Sequence, residues 1–140
     1  MVLLLAAHAA GVVAQGIIKP SLGFACYEGG SATKQVKAFS TLVLERDYSK
    51  IMRLLNSKES ADKFLCVIAL EKLQKLKKVK LSKSISQELI NVRNSNELVS
   101  VCSGCTYFEV LSLKDLFLNK GEIYNEAEFW INELLSVNTK

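Results

Sequence analysis

The stretch YSKIMRLLNSKESADKFLCVIALEKLQKL, from Tyr48 to Leu76, decides the fold because it carries two successive helical patterns joined by a short polar turn. Asn56, Ser57 and Ser60 in that turn have short polar side chains, which satisfy the free backbone groups at helix ends. The stretch therefore predicts a helical hairpin. Its apolar residues recur three and four positions apart, as on one helix face: Tyr48, Ile51, Met52 and Leu55, then Ala61, Leu65, Ile68, Ala69, Leu73 and Leu76.

The second half of this hairpin is apolar at every position from Phe64 to Leu70. So broad a run does not fit a one-sided stripe, and it predicts a core helix that is covered on more than one side. Another helix is predicted just before the hairpin, from about Thr33 to Arg46. Its apolar face consists of Val36, Phe39, Leu42 and Val43.

Residues 51–73, IMRLLNSKESADKFLCVIALEKL, resemble one HEAT-type helical repeat. The likeness lies in a short first helix that ends near a Leu-Leu pair, a turn, and a second helix that ends in Ala-Leu-Glu-x-Leu. HEAT-like arrays bury their faces by stacking about three or more repeats, and we find no second or third copy here. The resemblance implies a surface that binds another macromolecule, and it brings no catalytic residues with it.

Length and composition fit one hydrophobic core. The chain has 140 residues, of which 49% are hydrophobic and 23% are charged, so one ordered domain is expected. We predict a mainly α fold, either a small helical bundle or a HEAT-like array of helical hairpins, with a short β-hairpin around two clustered cysteines. The helical domain is expected to cover residues 34–140.

The first residues, MVLLLAAHAAGVVAQG, carry no charged side chain unless His8 is protonated. A leucine-rich start followed by small residues is typical of a secretory signal, and we predict that residues 1–14 are removed before Gln15. A retained membrane anchor and a buried N-terminal helix are the alternatives. Residues 15–33 contain the only proline and several glycines, which predicts a loose arm. The residues expected to pin this arm to the body are Phe24, Cys26 and Tyr27.

Cys102 and Cys105 form a Cys-x-x-Cys motif with the turn-forming residues Ser103 and Gly104 between them. Apolar residues on both sides predict a β-hairpin whose two-residue loop the cysteines flank. Cα atoms at the ends of such a turn lie less than about 7 Å apart, which is near the range of a disulfide. A structural Cys102–Cys105 disulfide is favoured if the chain is exported, while a redox-active dithiol, half of a zinc site and other pairings stay open. Cys66, inside the apolar helix, is expected to be a buried free thiol.

Six lysines lie within twelve positions after the core helix pattern. Such a cluster can bind the phosphates of nucleic acid or an anionic membrane surface. We favour a solvated helix end, because lysines there complement the negative end of the helix dipole. Arginine and aromatic residues are not interleaved, so nucleic-acid recognition has little support. The candidate anion-binding residues are Lys72, Lys75, Lys77, Lys78, Lys80 and Lys83.

Three capping signals predict the remaining helices. Ser84-Ile-Ser-Gln87 announces one helix, and Ser112-Leu-Lys-Asp115 announces a short helix that Gly121 should stop. Asn125-Glu-Ala-Glu128 announces the last helix. In that helix we expect Trp130 to anchor the helix to the core rather than to bind a partner from an exposed position.

His8 is the only histidine, so removal of the signal would leave no imidazole. That would exclude Ser-His and Cys-His nucleophile pairs and histidine metal sites. The chain also lacks a P-loop, a dinucleotide-binding glycine motif and an EF-hand loop, and we assign no metal and no cofactor.

The leading hypothesis is an exported helical protein, secreted or periplasmic, that acts as a protein-interaction or structural module and not as an enzyme. One alternative is a thiol-disulfide redox protein that uses Cys102 and Cys105. The other is a cytoplasmic anion or nucleic-acid binder that uses the lysine cluster. The partner is expected to be another protein; a membrane is a partner only if the N-terminal segment is retained.

Overall fold

The computed structural model describes residues 19–137, which are mainly helical with one short antiparallel β-hairpin, as predicted. The predicted signal segment, residues 1–14, lies outside the described range. No helix within that range is long and apolar enough to span a bilayer. The elements are α1 (Lys34–Leu44), α2 (Tyr48–Arg53) with a following 3₁₀ turn (Leu54–Asn56), α3 (Ser60–Lys75), α4 (Lys83–Arg93), β1 (Leu98–Ser103), β2 (Tyr107–Ser112), α5 (Leu113–Asn119) and α6 (Glu122–Val137).

The predicted helical hairpin is formed by α2 and α3, and α3 is the centre of the molecule. The Asp47 side chain starts α2 by accepting a hydrogen bond from the Lys50 N–H at 3.2 Å, which satisfies one free group at the helix start. Helix α3 packs against α1, α2, α4, α6 and β1. The prediction of a core helix covered on more than one side is confirmed. Its buried residues are Ala61, Phe64, Leu65, Cys66, Val67, Ile68, Ala69, Leu70 and Leu73.

The β-hairpin exists as predicted, but its turn lies one residue later than the sequence suggests. Ser103 is still paired, with Tyr107, so the loop runs from Gly104 to Thr106. Gly104 has a φ of +61°, a left-handed conformation that glycine adopts without steric cost. As a result, Cys102 lies inside β1, opposite Phe108, and does not flank the loop.

The arm expected over residues 15–33 is not loose in its described part. Residues 19–33 contain little regular structure, yet they run parallel to the free edge of β1. The Leu22 N–H donates to the Ser100 carbonyl at 3.0 Å, and the Cys102 N–H donates to the Leu22 carbonyl at 3.0 Å. The arm is held because β1 offers backbone groups on that edge that β2 does not use.

The three residues predicted to pin the arm all do so. Phe24 packs on Trp130 with ring centroids 5.5 Å apart, and Tyr27 packs on Phe108 with centroids 5.7 Å apart. Cys26 is joined covalently to β1, as described below. The arm is therefore part of the folded body, and its Phe24 and Ala25 form one wall of a groove beside α6.

Two helices begin earlier than their predicted caps. Helix α4 starts at Lys83 because the Ser82 side chain, and not Ser84, accepts the first-turn hydrogen bond, from the Ile85 N–H. Helix α6 starts at Glu122, one turn before the predicted Asn125, because the chain turns sharply at Lys120, where φ is +44°, and becomes helical at once. By contrast, the predicted Ser112 cap of α5 is confirmed by its bond from the Asp115 N–H at 3.1 Å.

Candidate functional site

An open groove of about 1030 Å³ runs along α6, between that helix and the arm. One stripe of α6 faces the core through Ile123, Ala127, Ile131 and Leu135, which repeat every four residues. The adjacent stripe is also rich in apolar residues, and no described element covers it completely. We call this cavity the α6 groove; its large apolar lining residues are Phe24, Phe129, Trp130, Leu134 and Val137, and its acidic ones are Glu122, Glu126 and Glu133.

Trp130 connects the core to the α6 groove. Its indole N–H donates to the Ser40 hydroxyl at 2.8 Å, and its ring packs on Phe39 with centroids 6.0 Å apart. Trp130 is therefore anchored to the core as predicted, and it also lines the groove.

Two large apolar residues of the groove are strongly exposed. Phe129 is 68% exposed and Val137 is 64% exposed. Single exposed apolar residues are common on protein surfaces, but apolar residues that are contiguous and line a concave site mark interaction surfaces. The feature of interest is therefore the group of neighbouring apolar side chains between Phe129 and Val137, and not either residue alone.

A cluster of one buried serine, the half-buried Glu126 and the exposed Glu122 occupies one end of the groove. The Ser103 hydroxyl at the end of β1 lies 2.6 Å from Glu126 Oε1 and 2.9 Å from Glu122 Oε1. The other carboxyl oxygen of Glu126 is buried and has no hydrogen-bond partner. Burial raises the pKa of Glu126; the hydrogen bond from Ser103 opposes this, and the negative charge of Glu122 adds to it.

Sequence reasoning missed this cluster. Nothing in the sequence distinguishes Glu122 and Glu126 from solvated acids on a helix surface. Ser103 was assigned to a turn. The i, i+4 spacing on a helix that also carries Phe129 and Trp130 was the only available signal, and it does not show that β1 brings a hydroxyl between the two carboxyls.

The predicted Cys102–Cys105 disulfide is wrong. Cys102 is bonded to Cys26, with Cα atoms 5.5 Å apart, and Cys105 is a free, exposed thiol. Because Cys102 lies within β1, its neighbour is the parallel arm and not the loop. Gly23 permits the contact, since a Cβ atom there would lie 2.5 Å from Cys102 Sγ and 2.7 Å from the Cys102 carbonyl oxygen. The redox hypothesis requires a Cys102–Cys105 pair, whereas Cys102 is bonded to Cys26.

Cys66 is a buried free thiol, as predicted. Its thiol donates to the Ile51 carbonyl at 3.1 Å, and burial raises its pKa well above the usual range. A thiol that rarely ionises is a poor nucleophile and a poor metal ligand. Within residues 19–137, no group of three or more cysteine, histidine or acidic side chains is placed to hold a metal ion.

The six lysines of the predicted anion site lie at the end of α3, in the following connection and at the first residue of α4. Five of them are exposed and Lys72 is half-buried. The ion pairs between described residues involve Lys63 with Glu97 and Arg93 with Glu71, and not these lysines. This arrangement fits the solvated helix end that we favoured.

Comparison of the chain with protein families, with curated proteins and with solved structures gives no match. The resemblance of residues 51–73 to a HEAT-type repeat therefore depends on those residues alone.

Proposed function

We propose that this chain is an exported protein-interaction module and that its α6 groove binds the apolar face of a helical segment from a partner protein. The observation that carries the proposal is the group of neighbouring apolar side chains in the second half of α6, Phe129, Trp130, Leu134 and Val137, which the described part of the chain leaves partly or largely exposed. A helix laid into an apolar groove is a common mode of recognition, with anchor residues spaced by three, four and seven positions.

The shape of the groove favours a long ligand over a compact one. Helix α6 has 16 residues, so it is about 24 Å long at a rise of about 1.5 Å per residue. The lining residues extend from Gly121 to Val137, which is the whole length of the helix. Small-molecule sites are usually enclosed cavities of about 300–1000 Å³, whereas this groove is open and extends beside a helix.

The energy for binding would come mainly from covering the exposed aromatic and aliphatic side chains. Full burial of a side chain such as Phe129 contributes about 1.5–3 kcal/mol. Anchors that are aromatic and central to an interface commonly dominate the binding energy. Phe129, with Trp130 beside it, is near the middle of the lining and is the expected anchor.

Export is supported by the disulfide and by the composition of the N-terminal segment. Disulfides persist in oxidising compartments and are rare in the cytosol. The Cys26–Cys102 bond is buried, with both residues 0% exposed, as expected of a structural bond. N-terminal sequencing of the natural protein tests export: a mature terminus at Gln15 is expected, and a terminus at Met1 would contradict the cleaved signal.

Groove binding can be tested with the chain's single tryptophan, because Trp130 lines the α6 groove. The probe is a synthetic helical peptide as long as α6, with leucine on one face and glutamine on the other. A saturable change in Trp130 fluorescence is expected. A scrambled peptide of the same composition, which has no apolar helix face, should cause no change.

Phe129→Ala should weaken peptide binding about tenfold or more, the effect of losing an interface anchor. Leu118→Ala is the matched control, because Leu118 is 66% exposed but lies on α5 outside the groove; it should leave binding unchanged. Failure of the peptide to bind, or equal binding by the Phe129→Ala variant, would contradict the proposed function.

A further inference from the structure

The lining of the α6 groove carries charge of one sign. Glu122, Glu126 and Glu133 line it, and no lysine or arginine among the described residues does. An apolar surface bordered by carboxylates complements a helix with leucine-like residues on one face and cations beside them. An acidic helix would bring like charges together, which disfavours binding.

The geometry of Ser103 fits a carboxyl cluster that holds one proton. A hydroxyl has one hydrogen and can donate to one acceptor at a time, yet carboxyl oxygens lie 2.6 Å and 2.9 Å from Ser103 Oγ. Both contacts are hydrogen bonds if Glu126 is protonated and donates to Ser103, which in turn donates to Glu122. The unpartnered Oε2 of Glu126 is then a neutral carbonyl oxygen, which is less costly to bury than a charged one.

The other titratable groups near the cluster keep it acidic. Tyr107 and Glu109 of β2 and Asp115 of α5 line a neighbouring cavity together with Glu122. The hydrogen bond that Tyr107 donates to Glu109 raises the pKa of Tyr107 to about 12, so it stays neutral. The arm contributes Phe24 and Ala25 to the groove and no titratable group.

Arg93 and Lys120 both interact with Tyr124 of α6, and both already have partners. The Arg93 guanidinium is hydrogen-bonded to Glu71, and the Lys120 ammonium lies over the Tyr124 ring, 5.7 Å from its centroid. Neither residue lines the α6 groove.

We propose that the partner helix is basic and that one of its ammonium or guanidinium groups binds at the Glu122–Ser103–Glu126 cluster, in exchange for the proton held there. This inference rests on the proposed function of the groove. The exchange is balanced: neutral Glu126 and the cation become an ion pair of carboxylate and cation, and one proton passes to solvent.

The exchange supplies what the cluster lacks. A partner ammonium brings three donors and a guanidinium five, so Ser103 can donate to one carboxylate while the cation binds the other. The affinity for the basic helix should therefore increase as pH rises, because a smaller fraction of Glu126 is protonated and has to lose its proton.

The experiment uses the full chain and three peptides as long as α6 that share one leucine face and carry lysine, glutamine or glutamate on the other. Calorimetry in buffers of different ionisation enthalpy measures both affinity and proton release. Near neutral pH, the lysine peptide should bind about tenfold or more tightly than the glutamate peptide. Above the usual glutamate range, proton release should accompany binding of the lysine peptide and not of the glutamine peptide.

Two variants separate proton exchange from general charge attraction. Glu126→Gln should weaken lysine-peptide binding severalfold and abolish proton release, because the amide has no proton to give up. Glu133→Gln removes a charge from the same groove but lies outside the Ser103 cluster, so proton release should persist. Circular dichroism confirms that both variants are folded.

The outcomes differ for the two proposals. If none of the three peptides binds, both the proposed function and this inference are overturned. If the glutamine and glutamate peptides bind as tightly as the lysine peptide, groove binding stands and the basic partner is wrong. If lysine-peptide binding releases no proton, or releases one that Glu126→Gln does not remove, the exchange at this cluster is wrong.

Discussion

Helices α3 and α6 have the same length, 16 residues, and opposite surroundings. Nine residues of α3 are buried, whereas α6 buries four on a single stripe. The adjacent stripe of α6 carries aromatic residues and carboxylates side by side and faces the open groove. The apolar residues of α3 therefore stabilise the core, whereas α6 carries apolar residues that the core does not cover.

The contrast begins in the sequence of each helix. The apolar run from Phe64 to Leu70 contacts neighbours on several sides, so α3 gains nearly all its stability from tertiary packing. In α6, Glu126 and Glu133 interrupt the apolar residues and keep the groove side wettable. A helix that is both apolar and acidic on its open stripe suits a surface that is covered only part of the time.

Removal of a large side chain from α3 should have the largest effect on stability. Phe64 is 0% exposed and stacks on Phe117 with ring centroids 5.0 Å apart. Phe64→Ala should lower the free energy of unfolding by about 3–5 kcal/mol, measured by urea denaturation. Phe64→Leu, which keeps most of the volume, should cost less than about 1.5 kcal/mol. If Phe64→Ala lowered the free energy of unfolding by less than about 1 kcal/mol, α3 could not be the main core helix.

Loss of the disulfide should act next most strongly, and on the groove side of the molecule. Cys26 and Cys102 are separated by 76 positions, and closing so long a loop stabilises by about 4 kcal/mol on the chain-entropy relation. The Cys26→Ala, Cys102→Ala double variant should unfold at lower urea concentration. It should also change Trp130 fluorescence, because the arm that carries Phe24 is released.

Cys105→Ala is the control for this prediction. Cys105 is exposed and free, so its replacement should change the free energy of unfolding by less than about 0.5 kcal/mol. If Cys105→Ala instead destabilised the protein as much as the double variant, the pairing of Cys102 with Cys26 would be refuted.

The sequence could predict features that depend on local contacts, such as α3, but not features that depend on contacts between distant parts of the chain. The helical hairpin and the buried α3 followed from apolar spacing within residues 48–76, because helical contacts are local. The partner of Cys102 did not follow, since it depends on a one-residue shift of the hairpin turn and on a parallel arm 76 positions away. The carboxyl cluster was equally out of reach, because Ser103 meets Glu126 only after β1 packs against α6.

Glu126→Gln should have a smaller effect, visible mainly as a change in pH dependence. The pKa of Glu126 is raised in the folded protein, so its contribution to stability is complete below the usual glutamate range and is lost as pH rises through the folded value. The wild type should therefore lose stability over that interval, while the variant loses less. Near neutral pH, Glu126→Gln should raise the free energy of unfolding by less than about 1 kcal/mol, the size of one hydrogen bond.

Urea denaturation at several pH values measures this difference. Glu133→Gln is the control for removal of a groove carboxylate, since Glu133 lies outside the Ser103 cluster. Parallel curves for the wild type and Glu126→Gln would show that the cluster holds no extra proton.

Phe129→Ala should change stability least of all, although it removes as large a side chain as Phe64→Ala does. Phe129 is 68% exposed, so little apolar surface returns to water, and alanine favours a helix; the free energy of unfolding should change by less than about 0.5 kcal/mol. Ile131→Ala, two positions along the same helix at a residue that is 0% exposed, should cost about 2–5 kcal/mol. Equal losses for the two variants would mean that something covers Phe129 in the intact chain. Unequal losses, with peptide binding weakened only by Phe129→Ala, would separate the stripe of α6 that holds the fold from the stripe that is free to bind.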